Sequence, residues 1–155
     1  MFTDLVGSTE AVQRLGDEAW ARVLESHHEV VRRELVRFGG EEIDTAGDGF
    51  LAVFDGPARA IRCGLAIEAA VAQLGLQVRL GIHTGEVERP RGRAPRGIAV
   101  HVAARISALA GPGEVLASAT TRDLVAGSGL EFEERGEFQL KGLDEPRRLY
   151  RALRR

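Results

Sequence analysis

Asp4 and Asp48 are the residues on which chemistry could turn. Asp4 lies in a short apolar run, Phe2 to Val6, just ahead of Gly7-Ser8-Thr9, a turn that opens a helix. Asp48 sits inside Gly47-Asp48-Gly49, between two strand-like runs. If the first run pairs beside that hairpin, the two carboxylates converge on one edge of a sheet. Carboxylates at short range repel unless a cation lies between them, and hard oxygen donors suit Mg²⁺ or Mn²⁺. The turn after Asp4 adds backbone N–H groups and a helix N-terminus, which together cradle an anion. Metal carboxylates beside a phosphate cradle are what two-metal phosphoryl or nucleotidyl transfer requires. Taken singly, each Asp has a plainer reading, as a helix cap or as the acid of a tight turn. Convergence separates the two readings, and the surrounding elements decide it.

Those elements follow from the apolar spacing. Ser8 or Thr9 is the expected N-cap of a first helix, with Glu10 in its first turn. Asp17 restarts a longer helix whose apolar residues, from Trp20 to Leu35, recur at three and four residues until Gly39-Gly40 ends it. Glu42 to Thr45 and Phe50 to Phe54 read as the strands of a hairpin turned by Gly47-Asp48-Gly49. A helix begins at Gly56-Pro57, and Val78 to His83 is a strand. A loop rich in Arg, Pro and Gly, Glu88 to Gly97, leads into a helix from Ile98 to Leu109. Val115 to Ala117 reads as a strand and Thr120 to Val125 as a short helix. Beyond Leu130 the pattern predicts two or three antiparallel strands around Phe132, Phe138-Leu140 and Leu149-Tyr150. The order predicts one α/β (α+β) domain over residues 1–155, with helices over a mostly antiparallel sheet. Met1-Phe2-Thr3-Asp4 enters functional sequence at once, so the first strand is expected to be truncated at its N-terminal end, through a misassigned start or as a domain cut from a longer chain, the latter leaving room for an upstream regulatory or effector domain.

Composition narrows the class of function. Hydrophobic residues make up 44% of the 155 and charged residues 28%, as in an ordinary globular domain. With 21 Lys and Arg against 23 Asp and Glu, no bulk positive field draws the chain onto nucleic acid or an anionic membrane. No apolar run approaches the ~20 residues of a membrane helix. Cys63 is the only cysteine, which rules out an intrachain disulfide and fits a reducing, cytoplasmic setting. On its apolar helix it reads as a small buried residue. Arg89, Arg91, Arg93 and Arg96 read as a solvated basic loop, since no aromatic platform for bases accompanies them. Of His27 and His28, one is expected to face the core and the other water, because neighbours on a helix point in different directions.

Read together, the motifs resemble a family. Phe2-Thr3-Asp4-Leu5-Val6-Gly7-Ser8-Thr9 resembles the opening motif of class III nucleotide cyclase catalytic domains, and Asp44-Thr45-Ala46-Gly47-Asp48-Gly49-Phe50-Leu51 resembles their second metal motif. Gly81-Ile82-His83-Thr84-Gly85-Glu86 is similar to the strand that follows. Val100-His101-Val102-Ala103-Ala104-Arg105 is similar to the helix bearing the transition-state arginine, and Leu140-Lys141-Gly142 to the segment with the triphosphate lysine. These words occur in family order along almost the whole chain. The resemblance, to a divergent bacterial type, implies a ferredoxin-like, palm-type sandwich. It implies conversion of ATP or GTP to a 3′,5′-cyclic nucleotide and pyrophosphate, for signal transduction, by a homodimer with sites across its interface. Asp4 and Asp48 would hold two Mg²⁺ (or Mn²⁺) ions, and the backbone of Leu5, Val6, Gly7, Ser8 and Thr9 would cradle the phosphates. Arg105 and Lys141 of the second copy would meet the α-phosphate and the departing pyrophosphate.

Three substrate-facing positions depart from the family pattern. Asp44 stands where adenylyl members carry a base-selecting Lys. Ala94 stands near the second base-selecting position, and His101 replaces the Asn that orients the ribose. A carboxylate accepts hydrogen bonds and cannot donate. Guanine offers adjacent N1–H and N2 donors, so Asp44 tilts selection toward GTP or relaxes it, unless it never reaches the base. His101 keeps one donor for a ribose or phosphate oxygen, or packs as a helix residue. These departures keep open a nucleotide-binding, dimerising module that does not turn substrate over. Gly39-Gly40-Glu41-Glu42-Ile43 also resembles a word of the diguanylate cyclases, although it precedes its strand rather than forming the hairpin tip.

Overall fold

The computed structural model describes all residues, Met1–Arg155. β1 (Phe2–Leu5) leads through α1 (Ser8–Leu15) and α2 (Asp17–Phe38) into the hairpin of β2 (Glu41–Ala46) and β3 (Gly49–Val53). α3 (Pro57–Ala72) and β4 (Val78–Ile82) complete a βαββαβ unit. α4 (Ile98–Leu109), β5 (Val115–Ser118), α5 (Ala119–Leu124), β6 (Glu131–Phe138) and β7 (Arg147–Leu153) follow. The seven strands form one sheet in the order β2-β3-β1-β4-β5-β7-β6. Only β4 and β5 run parallel; every other pair is antiparallel. The sandwich of helices on a mostly antiparallel sheet is the one expected, and its first four strands have the ferredoxin-like order.

β1 is placed centrally because both of its edges are used. Phe2 and Thr3 pair with β3, and all four residues pair with β4, Asp4 opposite Arg79. The ladder against β3 runs on through Met1, whose backbone exchanges two 2.9 Å hydrogen bonds with Ala52. Alternation along the strands divides the core between two faces. Val115 and Ala117 join α2 and α3 in the larger cluster, while Leu116 joins α4, Leu140 and Leu149 in the smaller. All four residues of β5 are buried, as suits a strand with neighbours on both sides and helices above and below. Cys63 is fully buried in α3, and that burial pushes its thiol up to about 12, so it is a packing residue. No helix is long and apolar enough to cross a membrane.

Three local expectations are corrected. Gly7, not Ser8 or Thr9, caps α1, with φ 72° and no side-chain cap bond. The chain must turn sharply out of β1, and glycine enters the left-handed region without strain. The tail makes two strands, within the number expected, but Leu140 is not part of one: it lies beyond the end of β6, buried beneath a turn. The short helix and β5 meet without a gap, since Ser118 ends the strand and its hydroxyl caps α5 by accepting from the Thr121 amide at 3.2 Å.

α4 lies against the sheet at Gly81. A β-carbon there would sit 2.2 Å from the Ser107 amide nitrogen and 2.7 Å from the Ala103 carbonyl oxygen. Both partners are helix backbone, so neither can turn aside. Gly81→Ala is therefore expected to destabilise the fold by about 3 kcal/mol and to lift α4 off the sheet. Urea denaturation measures it; a change below about 1 kcal/mol would show that α4 is not seated by this contact.

Candidate active site

The β1–β3 and β2–β3 ladders bring Asp4 and Asp48 together. Asp48 lies in the two-residue turn of the β2–β3 hairpin, where Gly47 takes φ 60°. The two carboxyls come close enough for each to shift the titration of the other. Asp48 Oδ1 also accepts from the Leu5 amide at 3.4 Å. Arg79 reaches across from β4 and donates to Asp4 Oδ2 at 2.8 and 3.3 Å.

This arrangement splits the titration of the acids. Burial, and then the hydrogen bond and charge of Asp4, push Asp48 up to about 6, against weaker opposition from the Ser8 hydroxyl and the Leu5 amide. Burial alone would raise Asp4 as well, but the hydrogen bond with Asp48 and the Arg79 guanidinium outweigh it and hold Asp4 below the ordinary carboxylate range. The two acids titrate as an interacting pair, in which Asp48 is the one that keeps its proton to higher pH. Two neighbouring acids, supplying only oxygen donors, fit a hard divalent cation that would replace that proton and compete with Arg79.

The anion cradle proposed for residues 5 to 9 is partly engaged. The Leu5 amide faces Asp48, and the Val6 amide donates to Gln77 O at 2.8 Å. The amides of Gly7, Ser8 and Thr9 have no backbone partner, as at any helix start.

A second group of the named residues assembles elsewhere. His101 and Arg105 lie four apart on the exposed face of α4, so they project side by side. Lys141 stands on the turn above buried Leu140, where Leu143 N closes on Leu140 O at 3.1 Å. These three, with Ile98, Gly142 and Leu143, line an open cleft of about 520 Å³. Neither Asp4 nor Asp48 lines it, and neither do Asp44 and Ala94. Asp44 is exposed on edge strand β2, at the register shift after Glu42. Ala94 is exposed in the loop closed by the Glu88–Arg96 bridge. In that loop Arg89 pairs with Glu41 at 2.6 Å and Arg96 with Glu88 at 2.8 Å, so half of its arginines are already matched.

Sequence reasoning missed three neighbours of the acids. Arg79 is one; its place follows only from strand register. The other two are His27 and His28, which differ in burial as expected, the first buried and the second half-buried. Both nevertheless reach the hairpin. His27 Nε2 lies 3.0 Å from Asp48 O, and His28 Nε2 lies 2.8 Å from Gly47 O. The residues Gly39 to Ile43, by contrast, end α2 and begin β2, away from the hairpin tip.

Comparison with known proteins bears on the whole chain. The family of adenylate and guanylate cyclase catalytic domains matches residues 1–151. An uncharacterized protein of Rhizobium meliloti is 33% identical over 171 residues, covering 97% of this chain; the chain spans only 16% of that relative's length. The adenylyl cyclase CyaB from P. aeruginosa superimposes with a TM-score of 0.89 at 22% identity, over 99% of this chain and 92% of that one, a likeness of fold. An adenylate/guanylate cyclase/hydrolase from Silicibacter pomeroyi gives a TM-score of 0.82 at 26% identity, over 98% and 93% of the two chains.

Proposed function

The chain belongs to the adenylate and guanylate cyclase catalytic domain family, and from that premise we propose that it converts ATP or GTP to a 3′,5′-cyclic nucleotide and pyrophosphate at a site shared by two copies of itself. The observation that carries this reading is the convergence of Asp4 and Asp48, whose Oδ1 accepts from the amide of Leu5, the residue after Asp4, beside the open amides of Gly7 to Thr9. Supporting it, His101, Arg105 and Lys141 gather in a cleft of their own that neither acid lines. Two half-sites of complementary charge, apart in one chain, suit a two-fold pairing that sets each against the other.

Asp4 and Asp48 would hold two Mg²⁺ or Mn²⁺ ions, whose chemistry when bound is to acidify the ribose 3′-hydroxyl and neutralise the triphosphate. The amides of Gly7 to Thr9 orient phosphate oxygens at the positive end of α1. Arg105 of the second copy presents a permanent cation to charge developing on the α-phosphate. Lys141 of the second copy meets the pyrophosphate as it leaves. His101, one turn before Arg105, is a donor for ribose or phosphate oxygens.

The direct test is cyclic nucleotide formation by the purified chain with Mn²⁺ and either ATP or GTP, with Asp48→Ala as control. Product that vanishes in the variant supports the proposal. Metal-dependent nucleotide binding without turnover, in a folded and dimeric chain, would replace it with a binding and dimerising module. The same assay addresses the base. With an acceptor at position 44, GTP is expected to react faster than ATP, and Asp44→Ala to narrow the ratio ~10-fold. An ATP preference that Asp44→Ala leaves unchanged would remove Asp44 from the base site.

A further inference from the structure

Tight turns leave backbone carbonyls that neither strand of a hairpin can pair, and most are left to water. At this hairpin two consecutive carbonyls, those of Gly47 and Asp48, are each met by a histidine of α2. A carbonyl oxygen only accepts, so each Nε2 carries the proton. The rings of His27 and His28 both pack edge-on against Phe50, at 6.0 and 5.4 Å between centroids, and lie 6.0 Å from each other. Adjacent helix residues diverge, yet here both rings gather against one aromatic ring and close on successive carbonyls. One turn further along α2, Arg32 stacks over the same ring at 5.6 Å and grips Glu42 of β2 through two 2.9 Å bonds.

His27 also breaks a packing rule. It is fully buried, and its Nδ1 has no hydrogen-bond partner. A buried polar atom left unpaired costs about 1–3 kcal/mol, which an apolar residue would avoid. Such a local conflict marks a position held for another reason. The one bond the ring makes goes to the backbone of Asp48.

We infer that His27 and His28 are positioning residues, which fix the hairpin backbone so that the Asp48 carboxylate faces Asp4 and the pair is preset for a divalent cation. The inference rests on the proposed reading of the acid pair. Neither histidine touches the cation or the nucleotide; both act through the peptide units at Gly47 and Asp48.

The test is Mn²⁺ binding by the whole chain, followed by electron paramagnetic resonance, with melting temperature measured in parallel. His28 is half-buried, so His28→Ala is expected to fold and to bind Mn²⁺ ~10-fold more weakly. His28→Gln, whose amide can reach the same carbonyl, is expected to return affinity to within ~2-fold of wild type. His27→Gln is expected to bind more tightly than His27→Leu, although the leucine packs the buried position at least as well. Equal Mn²⁺ affinity in wild type and His28→Ala would overturn the inference. So would failure of His28→Gln to rescue, with its fold and melting temperature intact. Wild type binding Mn²⁺ no better than Asp48→Ala would overturn the reading of the acid pair itself, and this inference with it.

Discussion

Mixed in equal amounts, Asp48→Ala and Arg105→Ala chains should recover about a quarter of wild-type cyclic nucleotide formation, although each alone is nearly inactive. The expectation follows from the separation of the acids from the Arg105 cleft within one chain. In a two-fold dimer, each site takes its acids from one copy and its cations from the other. Random exchange makes about half of the dimers mixed. Every mixed dimer has one site with both lesions and one with neither, so about half of its sites survive. Native mass spectrometry establishes that mixed dimers have formed, and the assay follows. No recovery in confirmed mixed dimers would show that acids and cations of the same chain work together.

Asp48→Asn should move activity and stability in opposite directions. Losing one carboxylate of a metal pair removes several kcal/mol of transition-state stabilisation, so turnover is expected to fall ~1,000-fold. Stability follows from the sign of the Asp48 shift. Its pKa in the fold, about 6, lies above the ordinary value of 3.8, so the native state holds a proton that the unfolded chain releases. Stability of the metal-free protein therefore falls as pH rises from about 4 to about 6. The lowered Asp4 contributes in the opposite sense, losing its stabilisation as pH falls below the ordinary carboxylate range. Asparagine keeps an oxygen for the Leu5 amide and removes the repelling charge. At pH 8 in EDTA, Asp48→Asn should melt about 3 °C higher than wild type, a gain of about 1 kcal/mol. Added Mg²⁺ should raise the wild type and leave the variant unmoved. A variant less stable than wild type in EDTA would mean that the acids do not repel in the fold.

What could be read in advance divides along the range of the interactions. Asp48 was legible because Gly-Asp-Gly between alternating runs specifies a turn by local backbone preference. α2 and α4 were legible because their apolar spacing is periodic, and periodicity also put His101 and Arg105 on one face. Arg79 was not, because its place opposite Asp4 depends on which residue of β4 pairs with β1, a register that no local pattern reveals. The histidine fork escaped for a related reason. Helix geometry correctly separates His27 from His28, but both reach the same turn and pack against the ring of Phe50, which arrives from β3. Leu140 reads as strand from its alternation with Phe138, yet it serves as the buried footing of the turn that carries Lys141. The cap of α1 went to Gly7 because the exit angle from β1, not side-chain chemistry, set the requirement.

α1 lies between two glycines of positive φ, Gly7 at 72° and Gly16 at 82°, and none of its residues is buried. Ala11 and Val12 are only half-buried, so its unfolding would expose little apolar surface and it is weakly coupled to the cooperative melting of the sheet. Amide hydrogens of residues 8–15 should exchange with solvent through local opening, orders of magnitude sooner than those of fully buried β5. The helix whose first amides lie open beside the acids is thus a low-protection segment joined to a rigid one. An anion seated there binds only the closed fraction of the population, and its apparent affinity falls in proportion to that fraction.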